Sequence, residues 1–554
     1  MNDCKKLADL LFPHIKRTPE EYETLYPHRK LPEGAYVTRF APSPTGFVHL
    51  GNLFVSLIDE RLAHQSGGVC YLRIEDTDKK REVENGIESI IKALSKFGIM
   101  FDEGATGADT EKGQYGPYKQ SERAEIYQTF VKHLIEKDYA YPCFCSEEEL
   151  NEIRRKQEEQ KLTPGYYGEW AAHRNYTLEQ IQQELAMGKT FVVRLKSKGN
   201  PENKIVLNDR IKGEIEFPEN NQDLVILKSD GLPTYHFAHA VDDHFMRTTH
   251  VVRGDEWLSS VPLHFELFKA LGWEKPQYVH VSPIMKMEDT SKRKLSKRKD
   301  PEAAVSFYHD EGYPVQAVRE YLLNLINSNF EDWRRDNPDK PNIEFNIDTE
   351  RMSVSGSLFD IIKLTDVSKE IISRMTTDEV FELAYSWAKE YDAELFSLIS
   401  EHEAYTKQIL GIERGCEKPR KDIGKWSDVK PYISYFFDEL FYAEISNGYA
   451  FADNMTQDEI KRILNAYLEI FNLDGDHETW FNGIKDFCET LGYASNMKEY
   501  KKNKDAYKGN IGDVMGTIRV AIANRRTTPD LLQVMKVMGA DRVKERLNKA
   551  IGNR

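Results

Sequence analysis

From Ala35 onward the apolar residues first run together and then recur every third or fourth position. Ala35 to Phe40 reads as a short strand, and Leu50, Leu53, Phe54, Leu57, Ile58 and Leu62 then fall at helical spacing. The spacing predicts a helix from about His49 to Gln65, with Gly67-Gly68 as its stop signal. The alternation repeats. Val69 to Ile74 predicts a second strand, and Val83, Ile87, Ile90, Ile91 and Leu94 mark a second helix. Strands alternating with helices imply a parallel sheet with crossover helices. In open sheets of this kind ligands bind beyond the carboxyl ends of the strands, where both Arg39 and Glu75 stand.

Over residues 117–228 the pattern changes. A Tyr-rich approach (Tyr115, Tyr118) leads into an amphipathic helix, then Cys143-Phe144-Cys145, a highly charged helix from Glu147 to Lys161, and Pro164-Gly165-Tyr166-Tyr167-Gly168. Short strand-like runs follow at Thr190 to Lys196, Lys204 to Asn208, Glu214 to Phe217 and Leu224 to Lys228. This reads as an insertion into the parallel sheet. The alternation resumes with a helix beginning in Gly231 to His239, a strand at Val251 to Arg253 that ends in Gly254-Asp255-Glu256-Trp257, and a last strand from Tyr278 to Ile284. A basic loop, Lys292 to Lys299, comes next. After Asp300 helical periodicity dominates, with helix starts at Thr376-Thr377-Asp378-Glu379 and Thr456-Gln457-Asp458-Glu459. The expected partition is an extension at 1–34, a split sheet domain at 35–116 and 229–300, the insertion at 117–228, a connecting segment at 301–375 and a helical region at 376–554. The amphipathic segment with Leu7, Leu10, Leu11 and Ile15 carries no visible chemistry.

Composition narrows the classes. Hydrophobic content of 40% and charged content of 30% over 554 residues fit a soluble globular chain of several domains. No run of about 18 apolar residues occurs, so no membrane helix is expected. Met1 to Pro32 lacks a signal-peptide layout. The scattered Cys4, Cys70, Cys143, Cys145, Cys416 and Cys488 point to a reducing compartment, hence the cytoplasm. With a net charge of −15 the chain is a poor non-specific polyanion binder, so any nucleic-acid contact must use local basic patches.

The candidate chemistry begins in the loop Arg39-Phe40-Ala41-Pro42-Ser43-Pro44-Thr45-Gly46-Phe47-Val48-His49. It carries the chain onto a helix N-terminus, where unpaired N–H groups favour anions. Alone, this is equally an ordinary strand–loop–helix connection, and Lys292 to Lys299 is more simply a solvated basic loop. Together they form a two-part pattern: a Pro-containing loop feeding His49-x-Gly51-Asn52, and Lys294-Leu295-Ser296-Lys297-Arg298 much later. That pattern resembles the class I aminoacyl-tRNA synthetases, with their HIGH and KMSKS signatures. The wording of Arg39 to Gly46 and of Arg73-Ile74-Glu75-Asp76-Thr77-Asp78 is similar to bacterial-type glutamyl-tRNA synthetases. The resemblance runs from Arg39 to the C-terminus.

The resemblance implies an α/β fold: a Rossmann-like parallel-sheet catalytic domain, an inserted α/β domain for the tRNA acceptor stem, and an all-α C-terminal region for the anticodon. It implies activation of L-glutamate by ATP with Mg2+ and transfer to tRNA(Glu), in a monomer. Phosphoryl transfer of this kind needs positioning and charge neutralisation more than a protein nucleophile. His49, Lys294 and Lys297 are the implied catalytic residues, Lys297 foremost. Thr45, Gly46, His49, Gly51, Asn52, Lys294, Leu295, Ser296, Lys297 and Arg298 are implied for ATP, with Gly51 giving the nucleotide close access to the backbone. Asn52 replaces the histidine common in the wider class. For glutamate the resemblance implies Arg39 and Arg253 on carboxylates, Glu75 on the ammonium group, and Ala41, Ser43, Tyr235 and His239 around them. Many bacterial relatives have Asn at the place of His239, and a charged imidazole there would add a third cation. Arg253 is equally a strand-end partner of Asp255 or Glu256, and Glu75 equally part of a helix cap.

Some relatives carry zinc on a Cys-x-Cys pair with further ligands about twenty-five residues on. Here Trp170 stands where those relatives have a third Cys. Cys143 and Cys145 with His173 fall short of four ligands, so no zinc is expected. Candidate tRNA phosphate contacts are Arg414, Lys418, Arg420, Lys421, the Lys498 to Lys508 cluster and Arg525-Arg526, each taken singly more simply a solvated surface residue. Charging of tRNA(Gln) as well stays open. A glutaminyl enzyme is disfavoured because Pro42-Ser43-Pro44 lacks the Pro-Glu-Pro typical there and the C-terminal part is helical. The truncated glutamyl-queuosine type is disfavoured by the long helical region. A catalytically dead tRNA-binding paralogue is disfavoured by the presence of His49, Lys294 and Lys297.

Overall fold

A computed structural model describes Asn2–Gly552. It divides into two compact units, Met1–Phe307 with Arg319–Asp360, and Tyr308–Val318 with Ile361–Arg554.

The first unit opens with helices α1 (Asn2–Leu11) and α2 (Pro19–Leu25). Next come β1 (Val37–Phe40), α3 (Leu50–Gln65), β2 (Val69–Leu72), α4 (Gly86–Lys96), β3 (Glu103–Ala105) and β4 (Glu111–Lys112). β1, β2 and β3 pair in parallel, with Val37 opposite Val69 and Phe40 opposite Leu72, and β4 closes that edge antiparallel. α3 is buried almost all round, taking even Ser56, Asp59, Glu60 and Arg61 inside. Two glycines end it for different reasons. Gly67 adopts a left-handed φ of 72°, and a Cβ on Gly68 would sit 1.8 Å from the carbonyl oxygen of Tyr36.

α5 (Ala124–Glu136) leads into the insertion, which contains β5 (Ala140–Cys143), α6 (Glu147–Glu159), α7 (Leu178–Ala186), β6 (Val192–Leu195), the hairpin β7 (Lys204–Asp209) and β8 (Gly213–Pro218), and β9 (Val225–Leu227). β5, β6 and β9 form a small antiparallel sheet. α8 (Tyr235–Phe245), β10 (His250–Gly254), α9 (Val261–Leu271) and β11 (Gln277–Val281) then restore the parallel pattern, β10 pairing with β11. β10 runs beside β1, where the Thr249 N–H donates to the Val37 carbonyl at 3.0 Å and the Val37 N–H to Thr249 Oγ1 at 2.7 Å. The carboxyl ends of β1 and β10 are therefore neighbours, although more than 200 residues separate Arg39 from Arg253 along the chain. Part of the basic loop is a strand: β12 (Met285–Glu288) and β13 (Ser291–Lys294) form an antiparallel hairpin.

The N-terminal segment is no appendage. Ala8, Leu11, Phe12, Ile15, Tyr22 and Tyr26 share one core with Phe130 and Phe245. Arg29 grips Glu103 through two bonds of 2.8 and 2.9 Å.

The second unit is helical around a core that includes Ile372, Trp426, Phe436, Tyr467, Ile518 and Leu547. Thr376 caps the helix Thr377–Tyr391 reciprocally with Glu379, and Thr456 caps Gln457–Ile470. Several of its basic residues are already engaged. Arg414 donates to the carbonyls of Leu410, Ile372 and Met375 at 2.7–3.1 Å. Arg420 binds Asp422, Lys421 pairs with Glu370, Arg525 pairs with Glu444, and Arg526 bonds the carbonyls of Ala450 and Phe451.

Candidate active site

The ends of β1, β10 and β11, the loop before α3 and the basic hairpin enclose a cavity of about 450 Å³. On one side stands His49, the N-cap of α3. Its Nδ1 accepts from the Asn52 N–H at 3.2 Å, and its own N–H donates to Asn52 Oδ1 at 3.2 Å. Burial, reinforced by Lys297 and Lys294, pushes its pKa down to about 4. A neutral ring that accepts at Nδ1 carries its proton on Nε2, so His49 keeps a donor for an anion. A Cβ on Gly51 would lie 2.9 Å from Cε1 and Nδ1 of this ring. Gly51 therefore makes room for His49 itself.

Lys294, Leu295 and Lys297 line the same cavity. Lys297 donates to the Phe47 carbonyl at 2.8 Å and so ties the basic loop to the first loop. Asp300 anchors that loop from behind, accepting from Arg293 at 2.6 and 2.8 Å and from the Ser296 N–H at 2.8 Å. Of the residues expected on ATP, Gly51 and Asn52 lie in the wall with His49, whereas Thr45, Gly46, Ser296 and Arg298 flank it.

The other side gathers Arg39, Ala41, Ser43, Glu75, Tyr235 and Arg253. Arg39 donates to Asp243 at 3.2 and 3.3 Å and to the Val252 carbonyl at 3.1 Å. Arg73 bonds the same Asp243 at 2.6 Å and reaches Glu75 at 3.2 Å. The two arginines hold the Asp243 carboxyl far below its ordinary range against the opposing effect of burial. Burial raises Glu75, with Arg73 and Arg39 opposing. His239 is fully buried behind this wall, with Nδ1 2.6 Å from Asp243 and Nε2 3.1 Å from the Tyr278 hydroxyl. Burial lowers its pKa to about 4, so it is neutral rather than a third cation. Arg253 pairs with neither Asp255 nor Glu256. Asp255 meets Lys212 at 3.1 Å, and Arg253 leans on two imidazoles, His280 at 2.9 Å and His264 at 3.2 Å. Its Nη2 is buried with no hydrogen-bond partner among the described residues. Arg73, Asp243, His264 and His280 were not singled out from the sequence. Only the alternation that places Arg73 and Glu75 on one face of the strand end hinted at any of them.

A split parallel sheet, a histidine-capped helix and two lysines of the basic hairpin and loop stand around one cavity. Residues 35–366 match the family model described as tRNA synthetases class I (E and Q), catalytic domain, and residues 379–551 match an anticodon binding domain. A glutamate–tRNA ligase of Clostridium perfringens is 54% identical over 545 residues, 98% of this chain and 99% of that protein. The chain belongs to the glutamate–tRNA ligase family. The Acetivibrio thermocellus ligase is 52% identical over 550 residues, 99% of this chain and 100% of that protein. A crystal structure of a glutamate tRNA ligase from Elizabethkingia meningosepticum in complex with its amino acid matches with a TM-score of 0.70 at 28% identity, covering 93% of this chain and 99% of that chain. Coverage of 98% leaves no room for all of residues 1–34 to lie outside the likeness to the C. perfringens ligase, as the motifs alone implied.

The expected absence of zinc rested on a shortage of ligands, and the cluster in the insertion does not exclude the metal. The insertion brings Cys143, Cys145 and His173 together, and Tyr166 joins them. Cys145 Sγ lies 3.2 Å from His173 Nδ1 and 3.3 Å from the Tyr166 hydroxyl, and Cys143 Sγ lies 3.7 and 3.5 Å from the same atoms. Tetrahedral zinc with ordinary Zn–S and Zn–N bonds spaces sulfur and nitrogen ligands about 3.5 Å apart. Hydrogen bonds from Cys145, His173 and Tyr166 hold the Cys143 thiol below its usual range. Cys143, Cys145 and His173 could together hold a metal ion, with the Tyr166 hydroxyl a hydrogen-bond partner beside them. No helix among the described residues is long and apolar enough to cross a membrane.

Proposed function

We propose that the chain activates L-glutamate with ATP and Mg2+ as glutamyl-adenylate and passes the glutamyl group to the 3′ end of tRNA(Glu), releasing pyrophosphate and AMP. The observation that carries the reading is Arg253: a buried guanidinium at the cavity wall, held by neutral groups, with one edge unpartnered. A substrate carboxylate supplies the missing partner. Glu75, in the same wall, suits the ammonium group, and Arg39 a second carboxylate.

The α-carboxylate oxygen attacks the α-phosphorus and pyrophosphate leaves. Lys294 and Lys297 neutralise the charge that grows on the leaving group, and His49 Nε2–H donates to a phosphate oxygen. The terminal tRNA hydroxyl then attacks the adenylate carbonyl and AMP departs. Free cysteines throughout the described chain support a reducing, cytoplasmic setting, and we infer a monomer.

The deciding experiment charges purified tRNA(Glu) and tRNA(Gln) in parallel with labelled glutamate, alongside glutamate-dependent exchange of pyrophosphate into ATP with tRNA present. Charging of tRNA(Glu) with exchange is expected. No exchange with cognate tRNA present rejects the reading.

A further inference from the structure

Buried arginines ordinarily meet a carboxylate. Arg253, 5% exposed, meets two imidazoles instead. Its Nε–H donates to His280 Nε2, and Nη1–H to His264 Nδ1. An imidazole can accept at one nitrogen only when neutral, with its proton on the other. For His280 that proton has a fixed destination. Nδ1 lies 2.7 Å from Asp209 Oδ2, and the His280 backbone N–H reaches the same oxygen at 3.1 Å. Asp209 Oδ1 in turn accepts the N–H groups of Ile211 and Lys212, both at 2.9 Å. A carboxylate receiving this many N–H donors stays ionised and acts only as an acceptor. It therefore holds the His280 proton on Nδ1 and turns the Nε2 lone pair toward Arg253. Asp209 comes from the end of β7, in the insertion, and docks on β11 of the parallel sheet; the Arg210 N–H bonds the Tyr278 carbonyl at 3.0 Å.

We infer that Asp209 and His280 are positioning residues for amino-acid recognition. Asp209 fixes the tautomer of His280, and His280 fixes the Nε edge of Arg253. Because its holders are uncharged, the guanidinium keeps both its Nη2 edge and its full charge for a substrate carboxylate. The inference rests on the reading above that Arg253 receives such a carboxylate.

The test uses the full-length protein with tRNA(Glu), measuring pyrophosphate exchange while glutamate and then ATP are varied, together with the thermal midpoint. The variants are Asp209→Asn, His280→Phe, His280→Gln and Arg253→Ala. An amide at position 209 can donate to Nδ1 and so permit the tautomer whose Nε2–H faces the Arg253 Nε–H. Asp209→Asn and His280→Phe are expected to raise the glutamate KM about tenfold or more, with the ATP KM within about twofold of the parent. His280→Gln can still accept from Arg253 and donate to Asp209, so it should recover most of the loss. Asp209→Asn is isosteric and stays informative if His280→Phe does not fold. An unchanged glutamate KM in Asp209→Asn, beside a raised one in Arg253→Ala, overturns the inference and leaves the carboxylate reading standing. An unchanged glutamate KM in Arg253→Ala overturns that reading and the inference with it. A joint rise in both KM values, or no recovery in His280→Gln, assigns these residues a merely architectural role and also overturns the inference.

Discussion

Lys297 and His49 face one cavity from two loops joined by the bond from Lys297 Nζ to the Phe47 carbonyl. As proposed, Lys297 acts on charge that appears as pyrophosphate leaves, so Lys297→Ala should lower kcat about 100-fold or more and change the glutamate KM by less than about threefold. Steady-state exchange kinetics check this, and equal losses in both would reject the role. Gly51 offers a second test at the same scale. The Cβ of Gly51→Ala would press on the His49 ring from 2.9 Å, so activity should fall about tenfold or more while the thermal midpoint stays near the parent value, by paired kinetics and melting. The motif residues were legible because their pattern is local: a histidine at a helix start and a run of basic residues. Asp243, His264 and His280 were not, because each acts only through a partner brought in by tertiary packing. Asp243 reads as one acidic residue of α8 until Arg39 and Arg73 converge on it.

Elements were read well where one pattern governs them. The β1–α3–β2 alternation, the insertion's short strands and the capped helices of the second unit all followed from periodicity and caps. Part of the basic stretch is strand, since the charges of Ser291–Lys294 hide a ladder with Met285–Glu288. Its geometry depends on Asp300, which meets Arg293, Lys286 and the Ser296 N–H. Asp300→Asn removes the charge from that knot. Exchange rate should fall by about tenfold through kcat, with little change in melting; a wild-type rate would show that the hairpin holds Lys297 without it. The convergence of Cys143, Cys145 and His173 was only half legible, because the fold of the insertion brings His173 back to the pair. Elemental analysis of the purified protein should find about one zinc per chain, and Cys143→Ser should lose it. Metal-free protein with unchanged melting would remove zinc from the account.

For the whole molecule, pH reports on burial. His250, stacked on Tyr36 at 3.6 Å, has its pKa pushed by burial from 6.5 to about 4. Between those values the unfolded chain binds a proton that the native chain refuses, so the stability this group contributes is complete above 6.5 and is lost as pH falls toward 4. The melting temperature of the parent should exceed that of His250→Asn at pH 7.5, and the gap should narrow steadily below about 6.5; a constant gap would contradict the assignment. The N-terminal segment makes a second whole-molecule prediction. Tyr26 is buried against Phe245 and bonds the Gly116 carbonyl at 2.8 Å, so Tyr26→Ala should cost about 3–5 kcal/mol by denaturant melts. That segment showed no chemistry in the sequence, and its place in the core was invisible because partners such as Gly116 and Phe130 lie about 90 residues or more away. The adjacency of β1 and β10 carries the same separation into biosynthesis. The ribosome releases the Arg39–His49 loop early, yet the loop has no opposite wall until β10 and β11 emerge some 200 residues later. The first strand must therefore wait for its neighbour through the making of an entire inserted domain. Nascent chains too short for His250–Gly254 to have emerged should expose an unpaired β1 edge and bind chaperones, whereas slightly longer chains close the sheet and escape them.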